Sequence, residues 1–297
     1  MTTVRRPRGD LVAGMAAARR PTGPVIAVLI VLATVAIGQI VIGVPVYLLL
    51  FGPAAPDHGG LGWQLYTTVV LFAATTLALY LWVRFREGRP FATVGFRSRP
   101  SGIGLGAVVG FGMFAVVVLA GVVTGQTTLE ARAPTAALVG GVLVALAGFA
   151  VQGSTEEILI RGYLMQAAVR RWGLVAGVAV QAALFALLHG LNPGTGVLAV
   201  VNLVLVAVFL AGWALLEGGL WGVCAWHAVW NWAQGNVWGL LVSGQPITTS
   251  LLVTRPSPGA SDLVTGGGFG PEGGLPATVV LACGVAVLGW AWRRRGV

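Results

Sequence analysis

Residues 136–170 read AALVGGVLVALAGFAVQGSTEEILIRGYLMQAAVR. A membrane-crossing helix needs about 20 predominantly apolar residues, and the first part of this stretch supplies them. The run then takes in two adjacent glutamates, Glu156 and Glu157, and one arginine, Arg161, before continuing to the Arg170–Arg171 pair. An acidic side chain at the centre of a bilayer-spanning helix costs about 3 kcal/mol on insertion scales, so such a residue faces the protein interior and marks function by default. Glu157 and Arg161 are four apart with the acid first, the favourable order for an intrahelical ion pair. Glu156 projects about 100° round the helix from Glu157 and stays available as a base.

Composition decides what surrounds this segment. The 297 residues are 57% hydrophobic and only 9% charged, with a mean hydropathy of +0.87. Soluble domains carry about 25% charged residues. So few charges cannot build a solvated surface, and lipid is left as the main solvent. The 45 glycines fit this reading, because small residues let membrane helices approach closely. The net charge of +9 comes entirely from arginine. Those arginines cluster between apolar runs, as membrane anchors do, and form no basic face interleaved with aromatics, which argues against nucleic-acid binding. Cys224 and Cys283 offer neither a disulfide framework nor a cysteine metal motif. Both read as small buried hydrophobes.

The fold class expected is therefore all-α: a polytopic integral membrane bundle of about eight transmembrane helices. Eight segments qualify, at 25–51, 63–84, 103–124, 136–170, 174–189, 196–216, 220–242 and 277–292. The first is too long for the apolar core of a signal peptide and reads as a retained span. The fourth is long enough to project from the bilayer or to break near Gly153. Arginines recur at the N-terminus, between spans 2 and 3, between spans 4 and 5, and after span 8. By the positive-inside rule this alternation puts both termini in the cytoplasm. The expected plan is a cytoplasmic basic segment (1–24), spans 1–3 (25–135), a core of spans 4–7 (136–242), a flexible external Gly/Pro-rich loop (243–276), and a last span with a basic tail (277–297). The expected location is a plasma membrane, bacterial by its arginine-rich, lysine-free character. The partners expected are lipid and no nucleic acid.

Polar residues on other spans join the glutamates. His189 ends span 5, and His227 and Asn231 lie four apart on one face of span 7. Glu156 stands fourteen residues above Arg170, about 21 Å of helix, and His189 fifteen residues above Leu174, about 22 Å. A tight turn between the two helices thus brings them to similar depth. His227, counted from the Gly218–Gly219 turn, rises only about 12 Å, a looser match. Each group also has a structural reading: a Glu–Arg clasp, a histidine capping carbonyls, and a His/Asn pair bonding between helices. All five groups being structural at once is the weaker reading. Glu217 reads as a solvated loop residue.

These residues spell a pattern that resembles the type II CAAX prenyl endopeptidases and their bacterial relatives, the CPBP family of intramembrane CAAX proteases and bacteriocin-processing or self-immunity proteins. The motifs are Glu156-Glu157-x-x-x-Arg161, Phe185-x-x-x-His189 and His227-x-x-x-Asn231, in order and on separate spans, within about residues 139–234. The resemblance implies peptide-bond hydrolysis inside the membrane, on a peptide or membrane-tethered protein. Glu156 with His189 would activate water, His227 and Asn231 would stabilise the oxyanion, and Glu157 with Arg161 would orient the helix. Glu156, His189 and His227 could also ligate a divalent metal such as Zn²⁺, although the usual His-Glu-x-x-His zinc helix is absent. Two other classes compete: a transporter whose buried carboxylates carry protons or cations, and a non-catalytic scaffold or immunity protein of the same fold.

Overall fold

A computed structural model describes residues 11–52 and 58–294. Arg5, Arg6, Arg8 and Arg295, and the centre of the first inter-helix loop, lie outside the described residues. Among the described residues, six helices are long and apolar enough to cross a membrane: α1 (Pro24–Phe51), α2 (Leu61–Arg86), α3 (Gly102–Val123), α4 (Ala136–Trp172), α6 (Val197–Glu217) and α8 (Leu275–Arg294). Two shorter helices lie among them, α5 (Leu174–His189) and α7, which is α-helical over Trp221–Trp232 and closes in a π turn, Ala233–Val237.

All eight apolar segments are thus helical, but the expected eight spans become six. The 16 residues of α5 rise about 24 Å, short of a hydrocarbon core of about 30 Å. Helix α7 stops at Val237 because the polar groups of its last turn bond elsewhere. Gln234 donates to Leu241 O (2.5 Å), and Asn236 exchanges amide bonds with Gln64 of α2 (2.8 and 3.1 Å). The bundle turns apolar side chains outward along its helices, among them Leu29, Leu49, Val108, Val123, Leu143 and Val279. Such a surface is stable against acyl chains and not against water. Cys224 is buried, as expected, but Cys283 is exposed, because α8 shows most of its surface to the outside.

Glycine sets the centre of the fold. Helix α7 packs between α3 and α4. A Cβ on Gly110 of α3 would lie 2.6 Å from Trp226 O, and one on Gly153 of α4 would lie 2.9 Å from Ala228 N. Backbone therefore meets backbone on both sides of α7, the close approach that small residues allow. The chain does not break at Gly153; α4 remains helical and takes a π turn later, at Ile158–Leu164.

Two short strands, Thr127–Ala131 and Leu252–Pro256, pair antiparallel with Thr127 opposite Pro256. An all-helical expectation misses this small sheet. The 243–276 stretch is correspondingly more than a loose connection. It carries one of these strands, and a short helix Asp262–Thr265 whose N-cap Ser261 accepts from Leu263 N. Asn202 of α6 donates to Glu272 O (2.7 Å) and Gly274 O (3.0 Å), tying the stretch to the bundle. Glu217 is half-buried rather than solvated, and its carboxylate accepts from Gly222 N at 3.0 and 3.1 Å.

Candidate active site

The two glutamates of α4 divide as their spacing predicts. Glu157 is fully buried, and its Oε1 accepts from Arg161 Nη1 at 3.0 Å. The same oxygen accepts from His227 Nδ1 at 2.8 Å. Glu157 therefore clamps α7 as well as its own helix, a role the sequence alone does not announce. The Arg161 guanidinium, also fully buried, lies 4.6 Å above the Phe185 ring of α5. That face-on position is a cation–π contact, strengthened where water is excluded. These groups stand at the start of the π turn, a feature frequent at functional sites.

Glu156 faces the other way. Its Oε1 accepts a short hydrogen bond from Gln152 Nε2, one helical turn back. Gln152 Oε1 in turn accepts from Asn231 Nδ2 at 3.1 Å. One amide thus links the candidate base to the third motif. The sequence allows Gln152 either to line a wet cavity or to bond helix carbonyls, and here it lines the cavity. Its signal was its position four residues before Glu156, but an amide in a membrane helix satisfies its own backbone as readily.

Both histidines present the same nitrogen to the same atom. His189 Nε2 lies 3.4 Å and His227 Nε2 3.7 Å from Glu156 Oε2. Their Nδ1 atoms are engaged elsewhere, His189 with Phe185 O at 3.0 Å and His227 with Glu157. A carbonyl oxygen and a carboxylate can only accept, so both Nδ1 atoms carry the hydrogen. This leaves Nε2 of each ring directed at Glu156. Glu156 Oε2 is buried and has no hydrogen-bond partner. Phe185 serves twice more, stacking near the His189 ring (centroids 4.3 Å apart) and lying under Arg161.

The loose depth expected for His227 closes for a visible reason. The turn before α7 is not at the surface. Leu220 is fully buried, and its N–H donates to Gly95 O at 3.0 Å. Helix α7 starts inside the protein, so a short climb brings His227 level with Glu156. The three motifs therefore converge: Glu156, Glu157, Arg161, His189, His227 and Asn231 form one connected cluster.

This cluster borders a cavity of about 470 Å³ that reaches between α1, α2, α4, α5 and α7. Glu156, His189, Asn231 and Gln152 line it. A metal is a separate question. Among the described residues no group of three or more His, Cys, Asp or Glu side chains is arranged to hold an ion. Glu156, His189 and His227 are not among such groups, although Nε2 of the two rings stands 3.4 and 3.7 Å from one oxygen of the carboxylate.

Comparison with protein families matches residues 136–233 to the family described as type II CAAX prenyl endopeptidase Rce1-like. The match takes in helices α4 to α6, and α7 as far as Ala233, so all three motifs fall within it. No curated protein and no solved structure matched.

Proposed function

We propose, on the premise that residues 136–233 form an Rce1-like type II CAAX protease domain, that this protein is an intramembrane endopeptidase acting through Glu156. The observation that carries the reading is the unpartnered Oε2 of Glu156 beside two imidazole Nε2 atoms whose opposite nitrogens are both engaged. A water molecule placed there can donate to the carboxylate and to one imidazole at once. The base is positioned before substrate arrives, which is where general-base catalysis gains its rate.

In this mechanism Glu156 takes a proton from water as the oxygen attacks the scissile carbonyl, with His189 orienting the water. Charge then develops on the carbonyl oxygen. Asn231, held by Gln152, is a donor that meets it, and His227, held by Glu157, is a second when its ring carries a hydrogen on Nε2 as well as on Nδ1. One such preorganised donor is worth about 3–4 kcal/mol in the transition state. Glu156 then passes its proton to the leaving amine. Glu157 and Arg161 take no part in proton transfer and keep α4 and α7 in register.

The cavity supports a peptide substrate. Six amide side chains line it, Gln39, Gln64, Gln152, Asn192, Asn231 and Gln245, with no arginine. Amides offer paired donors and acceptors, the complement of a peptide backbone. Its volume suits a short extended segment and not a folded chain. The outward apolar surface supports a substrate met at the membrane, either embedded or tethered. The alternation of arginines supports both termini on the cytoplasmic side.

The test is Glu156→Gln in detergent-purified protein, assayed on a membrane-tethered peptide. The variant should elute and melt as the parent does while cleavage falls by about 10²–10⁴-fold. Undiminished cleavage would remove Glu156 as the base. Ion flux that follows Glu156, with no peptide cleaved, would favour a transporter.

A further inference from the structure

Among the described residues only one non-glycine residue has a positive φ: Ser243, at +46°. It sits in the tight turn 242–245, where Val242 and Gln245 exchange backbone bonds of 2.9 Å in both directions. Gly244 follows at +83°. Two successive positive φ values define the primed hairpin turn that asparagine–glycine normally fills. Serine there is strained, and strain of this kind persists only where surrounding contacts impose it.

The contacts are visible. Glu272 Oε2 accepts from Ser243 N at 2.8 Å and from Ser243 Oγ at 2.9 Å. Its other oxygen accepts from Trp230 Nε1 at 3.2 Å, on the residue next to Asn231. Asn192, three residues beyond His189, donates to Ser243 O at 3.1 Å. Gly244 N donates to Phe269 O at 2.9 Å, and a Cβ on Gly244 would collide with Pro193 O. Trp230 itself is buried and stacked on Trp226, so the anchor is rigid. The turn so held is a wall of the cavity that contains Glu156 and His189, through Val242, Ser243 and Gln245.

We propose that Glu272 determines substrate specificity by fixing this wall, admitting peptides with small side chains beside the scissile bond and excluding bulky ones. Glu272 does not line the cavity; it is a positioning residue acting through Ser243. The inference rests on the endopeptidase reading above. With the clasp intact, the strained turn is pinned against α5 and α7 and the cavity keeps its width. Without it, Ser243 relaxes to negative φ, the wall withdraws, and larger side chains enter.

The experiment uses the full chain in detergent and two membrane-tethered peptides that differ only in alanine or tryptophan beside the cleaved bond. Glu272→Gln replaces one of two accepting oxygens by a donor, so either Ser243 or Trp230 loses its acceptor and the clasp is broken at one end. It should raise the tryptophan-to-alanine ratio of kcat/KM by roughly tenfold, through a lower KM for the tryptophan peptide. Ser243→Pro, which cannot take a positive φ, should shift the ratio equally and keeps the test decisive if Glu272→Gln fails to fold. Because both act on one turn, the double variant should shift it no further than either alone. A ratio within about twofold of the parent in both variants, or effects that multiply in the double variant, would overturn the proposal while leaving the endopeptidase reading intact. A parent protein that cleaves neither peptide would bring down both.

Discussion

Two neighbouring carboxylates behave differently here because their surroundings differ. Glu157 is fully buried between a guanidinium and an imidazole, so its charge is matched and its rotamer set. Glu156 meets an amide on one oxygen and the cavity on the other, which leaves it free to exchange a proton. Removing the matched charge should therefore harm the fold more than removing the one that faces the cavity. Glu157→Gln strands Arg161, whose Nε and Nη2 already lack partners, in the protein interior. Breaking a buried ion pair in this way costs about 3–5 kcal/mol. Thermal unfolding in detergent should show a clearly lower midpoint for Glu157→Gln and an unchanged one for Glu156→Gln. Equal midpoints would mean that Glu157 does not clasp the two helices.

At the scale of elements, short helices rather than full spans deliver the histidines. Helix α5 ends at His189 and α7 begins beneath the surface at Trp221, so each imidazole reaches Glu156 from a helix too short to cross the bilayer alone. The approach of α7 to α4 depends on the absence of a side chain at Gly153, where a Cβ would lie 2.9 Å from Ala228 N. Gly153→Val should push α7 outward, separating His227 from both glutamates. A displacement near 1 Å in an active site costs about 10²-fold in rate. The expected result is cleavage reduced to that degree in a protein that still elutes as a folded species. Near-parental activity would show that α7 tolerates the shift and that close backbone packing does not set the site.

For the molecule as a whole, the apolar exterior and the small polar interior are two sides of one arrangement. Lipid accepts the outward side chains, and the bundle supplies a place where amides, carboxylates and imidazoles satisfy one another. Because no three of the described ligand-type side chains form a group that could hold an ion, peptide cleavage should persist after exhaustive treatment with a strong chelator. Loss of cleavage on chelation, with recovery on adding Zn²⁺, would return a metal to Glu156, His189 and His227.

Hydropathy was enough to read a chain of long apolar helices, because each apolar segment carries its own signal within some 20 residues. The Glu157–Arg161 pair was legible for the same local reason, being separated by one helical turn. The six-span count, the strand pairing of 127–131 with 252–256, and the depth of His227 were not. They depend on where α7 starts, on glycines that meet another backbone, and on residues more than a hundred positions apart. Glu272 likewise acquires meaning only from partners on other elements, and Gln152 from Asn231 as well as from Glu156 on its own helix. Local patterns set which segments become helices; only packing decided which side chains share an enclosed cavity, since that distance is fixed by contacts no single segment contains.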